Sequence, residues 1–182
     1  MNVIVAITGA SGAIYARQCL ELLLQSEAVE RIALVISRHG GDVIKAEGIL
    51  LPDDGRIERY DNDDMWSSLA SGSAAWDAML VVPASMGSVG RIASGVSNSL
   101  IERAADVMLK ERRRLIFVVR ETPYSLIHLR NMTTLTEAGA IILPAAPSFY
   151  LHPQNIEQAA LTVVERFLVL AGLKEQHYEF EG

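Results

Sequence analysis

The chain has 182 residues, of which half are hydrophobic and 21% are charged, and its net charge is −6 at pH 7. This length and apolar content favour a single domain spanning residues 1–182 with one substantial core. The acidic balance argues against a nucleic-acid surface, which needs clustered Lys and Arg, and no apolar run reaches the roughly 18 residues of a membrane-spanning helix.

The first predicted element is a strand, the apolar run 3–7, which ends in the small-residue turn 8–12. No basic flank or cleavage site precedes the strand, so we expect a cytoplasmic protein. A helix is predicted over 13–26, where Pro and Gly are absent. Backbone N–H groups in such a strand–turn–helix unit can hold an anion. The turn lacks the spacing G-x-G-x-x-G and the lysine of a P-loop, so a turn that only packs helix on strand is about equally favoured.

A second strand is predicted over 31–37 by its apolar run and its length. The helix between the two strands makes a βαβ unit, and the crossover rule makes the strands parallel. Ligands of open α/β sheets bind beyond the carboxyl ends of the strands. Ser37 is therefore a candidate ligand contact, or the N-cap of a helix through Ala46, and the two roles are compatible. By its pattern alone, Glu47 after that helix is typical of a solvated surface charge.

The stretch 50–73 lacks periodicity and is rich in acidic and turn-forming residues, which predicts one long connection. A loop of that length in a small domain is more often functional or interfacial than idle. A third strand is predicted over 78–82, and it ends in a second small-residue turn, 83–88, that opens into a helix. Two such turns at neighbouring strand ends favour a ligand that carries phosphate.

The second half of the chain continues the alternation of strands and helices. Its predicted elements are a helix over 98–112, a strand over 115–119, a helix from Pro123 through 137 capped by Thr122, a strand over 140–143 and a helix over 155–171. The strand 115–119 is fully apolar, which is typical of a sheet centre buried on both faces. The polar tail 174–182 is expected to be loose or to dock on a neighbouring subunit.

Two polar side chains of this half are candidate ligand contacts. Arg120 directly follows the central strand, where an unpartnered guanidinium is costly to bury, and its planar fork suits a phosphate. Pairing with Glu121 is the alternative for Arg120. Tyr150 lies in a segment stiffened by three prolines in ten residues, which suits a ring held against a ligand, and plain aromatic packing is about equally favoured.

Other classes of active site are not favoured. The four histidines show no metal-ligand spacing and no cysteine joins them, which predicts the absence of a metal site. A G-x-S-x-G nucleophile motif is also missing. Cys19 is the single cysteine, so no intrachain disulfide can form, and we expect it to be a small packing residue.

Five segments taken together resemble one protein family. They are the turn and helix start 8–15 (TGASGAIY), the helix 100–112 (LIERAADVMLKER), the run 120–123 (RETP), the pair 128–129 (HL) and the run 147–150 (PSFY). These segments occur in order over nearly the whole chain, and as a set they are specific. The chain therefore resembles the flavin prenyltransferases, the UbiX-like flavoproteins associated with ubiquinone biosynthesis and phenylacrylate decarboxylation.

The resemblance implies a fold and a reaction. The fold is a single Rossmann-like or flavodoxin-like α/β domain whose parallel sheet carries helices on both faces, assembled as a dodecamer with the active site at a subunit interface. The reaction moves a dimethylallyl group from dimethylallyl monophosphate to N5 and C6 of reduced FMN, without a metal. The product, prenylated FMN, serves a partner UbiD-like decarboxylase.

The resemblance also assigns roles by position. The implied FMN contacts are Gly9, Ala10, Ser11, Ser37, Ser85, Met86, Gly87, Ser88 and Arg120. The implied contacts to the dimethylallyl phosphate are Arg103, Lys110, Tyr150 and Arg166. Glu47 is implied to be the catalytic acid or base, together with Glu121 as a second functional carboxylate and Ser11. These residue types fit the chemistry, because Arg, Lys and Tyr donors can stabilise a leaving phosphate when no metal does so.

Two other functions are weaker candidates. A flavin-dependent decarboxylase acting on a cysteine-type substrate shares the fold, but such enzymes carry a histidine in the first βα region and an Asn-containing P-x-M-N motif. Here no histidine lies near Ser11 in the sequence, and the run 83–86 (PASM) lacks the asparagine. A non-catalytic FMN carrier would keep the two turns and Arg120 but has no use for the phosphate-binding side chains.

Overall fold

Six parallel strands form one sheet in the computed structural model, which describes residues 1–173. The strands are β1 (Asn2–Ile7), β2 (Arg31–Ile36), β3 (Ile57–Tyr60), β4 (Ala78–Ala84), β5 (Arg114–Val119) and β6 (Ile141–Pro144). The helices are α1 (Ala13–Gln25), α2 (Arg38–Ala46), α3 (Met86–Ala93), α4 (Leu100–Lys110), α5 (Leu126–Glu137) and α6 (Ile156–Ala171). The expected parallel α/β fold with helices on both faces is confirmed. The expectation for the tail 174–182 lies outside the described residues.

The central strands divide their side chains between two apolar layers. In β1, Val3, Val5 and Ile7 belong to the layer under α1 and α6, whereas Ile4 and Ala6 belong to the layer under α3, α4 and α5. This division follows from the two-residue period of a strand, in which successive side chains point to opposite faces. The β-branched and aromatic run of β5 is buried in the same way, as expected for a strand covered on both faces.

The order of the strands in the sheet is β3-β2-β1-β4-β5-β6. The chain builds outward from β1 in one direction as far as β3 and then returns to place β4 on the other side of β1. Ligands in open α/β sheets bind where the order reverses in this way, beyond the carboxyl ends of the two central strands. The strand order therefore predicts a ligand site at the turns that follow β1 and β4.

Two sequence predictions about the elements are wrong. The stretch 50–73 is not entirely loop, because Ile57–Tyr60 forms the short edge strand β3, and Ser68–Ala70 forms a 3₁₀ turn. The helix after β5 begins at Leu126 rather than Pro123, and its cap is Ser125 rather than Thr122. Ser125 Oγ accepts the His128 N–H, and His128 Nδ1 in turn accepts the Ser125 N–H, both at 3.2 Å. This reciprocal cap satisfies two backbone donors, so the helix starts there.

Across residues 1–173, no helix combines the length and the apolar character needed to cross a membrane. In the same range, no group of His, Cys, Asp and Glu side chains is arranged to hold a metal ion.

Candidate active site at the carboxyl edge of the sheet

The turns after β1 and β4 are joined by one buried side chain. Thr8 Oγ1 donates to the carbonyl oxygen of Pro83 at 2.8 Å and accepts the N–H of Ser85 at 2.8 Å. The backbone N–H of Thr8 donates to the same Pro83 oxygen at 3.2 Å. Thr8 is only 1% exposed; its bond to Pro83 is buried and its bond to Ser85 is partly buried. The two turns therefore form one continuous rim.

The turn after β4 presents the N-terminus of α3 to this rim. Ser85 is the N-cap, and its side chain accepts the N–H of Ser88 at 3.4 Å. Within residues 1–173, no acceptor takes the N–H of Met86 or of Gly87. Free N–H groups at a helix N-terminus are suited to an anion, both through hydrogen bonds and through the helix dipole.

The N-terminus of α1 is already occupied by the carboxylate of Glu47, which comes from the end of α2. One oxygen of Glu47 accepts the N–H of Gly12 at 2.9 Å, and the other accepts the N–H of Ala13 at 2.7 Å. The Ser11 side chain also bonds to this carboxylate. The sequence pattern alone suggested a solvated surface charge at this position; the side chain is exposed, and the structure adds that its carboxylate lies at the first turn.

The surroundings of Glu47 favour its ionised form. Burial acts to raise the pKa of its carboxyl group, but hydrogen bonds from Ser11, Gly12 and Ala13 and the charge of Arg120 outweigh burial, so the pKa lies below its usual value. Glu47 is therefore a carboxylate at neutral pH. A carboxylate held by a serine hydroxyl can accept a proton from whatever that hydroxyl touches.

Close backbone packing brings α2 and its glutamate to this edge. A Cβ on Gly40 would lie 2.5 Å from the carbonyl oxygen of Ile7, so only glycine lets α2 approach β1 this closely. Ser37 caps α2 by accepting the N–H of Gly40 at 3.0 Å, as one of the two predicted roles requires. In α1, Gly12 has φ +109°, a left-handed conformation that strains any other residue.

Arg120 adds a positive charge to the rim. It follows β5, is exposed in the single chain, and acts electrostatically on both Glu47 and Tyr15. Half-burial raises the pKa of the Tyr15 hydroxyl, and the charge of Arg120 opposes this rise. Glu121 does not pair with Arg120 within residues 1–173, because its carboxylate accepts the N–H of Thr122 at 2.9 Å. Arg120 therefore keeps its guanidinium available to a ligand.

The residues predicted to bind the dimethylallyl phosphate lie outside the turns after β1 and β4. Arg103 donates to the carbonyl oxygen of Ala70 at 3.1 Å and pairs with Asp106, while Lys110 pairs with Glu111 at the end of α4. Because α4 leads into β5, Lys110 lies towards the amino edge of the sheet, opposite the rim. Arg166 is exposed on α6, and Tyr150 is 65% exposed in the 3₁₀ turn Phe149–Leu151 after β6. A single chain does not bring Lys110 to the two turns.

One histidine does lie near the first turn in space. A Cβ on Gly9 would be 2.6 Å from the Cβ of His39, so α2 packs this residue against the turn. His39 Nδ1 lies 3.4 Å from an oxygen of Asp42, and its side chain is 82% exposed. The sequence does not show that His39 lies close to Gly9, because His39 belongs to the second βα unit and not to the first.

The family model described as Flavoprotein matches residues 1–168. The flavin prenyltransferase UbiX of Methanocaldococcus jannaschii is 45% identical over 187 residues, covering 100% of this chain and 99% of the relative. The chain belongs to the flavin prenyltransferase family. Another family member, the flavin prenyltransferase LpdB of Lactiplantibacillus plantarum, is 46% identical and covers 86% of this chain and 84% of its own.

Solved structures of the flavin prenyltransferase family agree with this assignment. AnUbiX (PadA1), crystallised in complex with FMN and dimethylallyl pyrophosphate, has a TM-score of 0.89 at 41% identity, covering 99% of this chain and 98% of its own. A dodecameric FMN-dependent UbiX-like decarboxylase from Escherichia coli O157:H7 has a TM-score of 0.92 at 35% identity, and both chains are fully covered. The cypemycin decarboxylase CypD, at 17% identity and a TM-score of 0.63, shares the fold alone.

Sequence reasoning on this family member placed Thr8 in the first turn but gave its side chain no role. Its position at the end of an apolar strand was visible, but a lone threonine there is also typical of ordinary strand packing. Only the distances across the β1–β4 boundary show that its hydroxyl connects the two turns. Tyr15 was likewise quoted as part of a motif without a role.

Proposed function

We infer that this chain joins the dimethylallyl group of dimethylallyl monophosphate to N5 and C6 of reduced FMN and so makes prenylated FMN. The observation that carries this proposal is the Glu47 carboxylate, bonded to the N–H groups of Gly12 and Ala13 beside Ser11, at the rim where two glycine-containing turns meet. The relatives of the family support it by name, and one neighbour was crystallised with FMN and a dimethylallyl phosphate ester. When bound, reduced FMN supplies the nucleophilic ring atoms.

The residues present fit FMN. The unbonded N–H groups of Met86 and Gly87 and the exposed guanidinium of Arg120 are donors suited to its phosphate. Gly9 and Ala10 are the small residues of the turn after β1, and Ser37, Ser85 and Ser88 carry hydroxyl groups along the same rim. We propose that these residues are the FMN contacts.

Glu47 and Ser11 are proposed to move protons at the flavin edge. The Ser11 hydroxyl, which acts on Glu47 and favours its charged form, would accept a proton from a flavin ring nitrogen bound beside it while giving its own to the carboxylate. A base with a lowered pKa is charged and ready at neutral pH, and the helix N-terminus that lowers the pKa also orients the carboxylate. Glu121 is proposed as a second functional carboxylate near Arg120.

The phosphate-binding side chains are proposed to act across a subunit interface. Arg103, Lys110, Tyr150 and Arg166 supply cationic and hydroxyl donors for a leaving phosphate, which needs such stabilisation as the allylic C–O bond breaks. Because Lys110 lies at the opposite edge of the sheet from the rim, a neighbouring copy must bring it there, so we propose a homo-oligomer, with a dodecamer as in the neighbour from Escherichia coli. The proposed donor is the monophosphate.

Two further proposals concern the setting of the reaction. We propose that the product is transferred to a UbiD-like decarboxylase that uses prenylated FMN, because a modified flavin is useful only as the cofactor of another enzyme. The protein is proposed to work in the cytoplasm, because both substrates of the proposed reaction are water-soluble phosphate esters.

The deciding experiment is anaerobic incubation of the purified protein with reduced FMN and either dimethylallyl monophosphate or the diphosphate, followed by mass spectrometry of the flavin. A product heavier by one dimethylallyl unit, formed from the monophosphate, is the expected result. Tightly bound but unmodified FMN with both donors would refute the prenyltransferase proposal and favour a carrier. Product from the diphosphate alone would overturn only the proposed donor.

A further inference from the structure

Thr8 has no assigned part in binding or catalysis, yet it is the one side chain that bonds to the turn after β4 from the end of β1. We propose that Thr8 is a positioning residue for FMN: it fixes the N-terminus of α3 relative to the turn 9–12 and thereby sets flavin affinity. The inference rests on the proposed FMN site but does not depend on what is done to the flavin afterwards.

The first step in the argument is that the regular strand pairing ends before the rim. The register between β1 and β4 runs from Val3 opposite Ala78 to Ala6 opposite Val81, and the pairing of β4 with β5 shifts between Val81 and Ala84. Pro83 lies in this irregular stretch and has no N–H to donate. Beyond the regular pairing, one backbone bond connects this end of β4 to the first turn, from the Thr8 N–H to the Pro83 oxygen.

Thr8 adds a further connection with its side chain. Its hydroxyl donates to the Pro83 oxygen and accepts the Ser85 N–H, each at 2.8 Å. One oxygen atom therefore holds both the end of β4 and the N-cap residue of α3. Ser85 then holds the first turn of α3 through Ser88. On the other side, the Thr8 carbonyl accepts the N–H of Ala10 at 2.8 Å, which shapes the first turn.

The consequence is that both proposed flavin-binding turns share one anchor. If the hydroxyl is lost, the partly buried Ser85 N–H loses its acceptor and the α3 N-terminus must move towards water to satisfy it. The free N–H groups of Met86 and Gly87 would move with it. Restoring the binding arrangement then costs free energy each time FMN binds, and the apparent dissociation constant rises in inverse proportion to the fraction of molecules already in the binding arrangement.

The test compares Thr8→Val, which keeps the shape but removes the hydroxyl, with Thr8→Ser, which keeps the hydroxyl but removes the methyl group. Oxidised FMN is titrated against the full-length apoprotein, and the dissociation constant is read from quenching of flavin fluorescence. We expect Thr8→Val to raise the dissociation constant about tenfold, the size expected for an unsatisfied buried group. Thr8→Ser is expected to stay within about twofold of the wild type, because its oxygen can make both bonds.

The matched control is Thr162→Val, a second buried threonine whose hydroxyl bridges two backbone groups. Thr162 Oγ1 donates to the Ala159 oxygen at 2.8 Å and accepts the Ser148 N–H at 3.0 Å, away from the two turns. We expect this variant to lose stability in urea but to keep its FMN affinity. A structural role alone would give Thr8→Val the same pattern, with lower stability and unchanged affinity, and that result would overturn the inference.

A milder variant covers the case in which Thr8→Val does not fold. Thr8→Cys keeps the volume but offers a weak donor and acceptor, so its FMN dissociation constant is expected to fall between those of the valine and serine variants. Equal affinity of the cysteine and serine variants would then overturn the inference. The two proposals can fail separately. If the wild type binds FMN but never prenylates it, the proposed function is refuted. Weak FMN binding by the valine or cysteine variant would still support the role of Thr8.

Discussion

Replacing Glu47 with glutamine removes a charge while keeping the shape of the side chain, so its effects on stability and on chemistry can be separated. The carboxylate holds the N–H groups of Gly12 and Ala13 at 2.9 and 2.7 Å. An exposed anion at a helix N-terminus contributes about 0.3–1 kcal/mol. The amide oxygen of glutamine can keep one of the two backbone bonds, so we expect Glu47→Gln to lower the free energy of unfolding by about 0.5–1 kcal/mol.

The sign of the pH dependence follows from the lowered pKa of Glu47. A carboxyl group whose pKa is lower in the folded state stabilises the fold above its unfolded pKa, and the contribution is lost as the pH falls through the folded pKa. Urea unfolding curves of the wild type and Glu47→Gln should therefore differ at pH 7, and the difference should shrink as the pH falls below the usual pKa of a glutamate and then through the lower folded-state pKa.

The effect of Glu47→Gln on chemistry should be far larger than its effect on stability. Loss of a positioned general base costs about 10²–10⁴-fold in rate, so formation of prenylated FMN under single-turnover conditions should fall by that factor while FMN still binds. Glu21→Gln on the exposed side of α1 is the matched control, since its ion pair with Arg17 is 4.0 Å long, and it should change neither quantity measurably. A Glu47→Gln enzyme with wild-type turnover would refute the assignment of Glu47 as the base.

Three further predictions concern the same rim and the core. Removing the charge in Arg120→Ala should raise the pKa of Glu47, which would move the acidic limb of the pH–rate profile to higher pH; an unmoved limb would contradict the coupling. Gly12→Ala should cost about 1–2 kcal/mol in urea unfolding because of its left-handed φ, whereas the helical control Gly41→Ala, with open space around it, should be neutral or stabilising. Because burial raises the pKa of the Cys19 thiol, a disulfide reagent should label it only after unfolding, and rapid labelling of native protein would contradict that burial.

The sequence predicted most of the fold because most of its elements have strong local signals. Buried strands such as β1 and β5 are apolar and β-branched, and the glycine- and serine-containing turns mark where they end. The edge strand β3 was missed because Ile57–Tyr60 has two charged residues among four and only partial burial. The true cap Ser125 was missed because its reciprocal partner is His128, not the Glu or Gln of the usual capping signature.

The site was less predictable, because its key contacts join residues far apart in the chain. Glu47 lies 35 positions from Gly12 and Thr8 lies 77 positions from Ser85, so no local pattern connects them. Family resemblance assigned Glu47 a role, but its carboxylate's place at the α1 N-terminus comes from the packing of α2 on β1. Lys110 is a different case, because the sequence does not show how far it lies from the rim. Its place at the amino edge follows only from the direction of the strands in the sheet.

Helix α2 packs on β1 at Gly40, near its start, and is followed by Glu47 at its other end. A methyl group added at Gly40 would lie 2.5 Å from the carbonyl oxygen of Ile7, so it would push α2 away from β1. Under the proposed function, Glu47 as the proposed proton acceptor would then move away from Ser11. Proton transfer at the flavin would thus be open to change from Gly40, a residue with no proposed ligand contact, and such a change would appear first as a chemical defect.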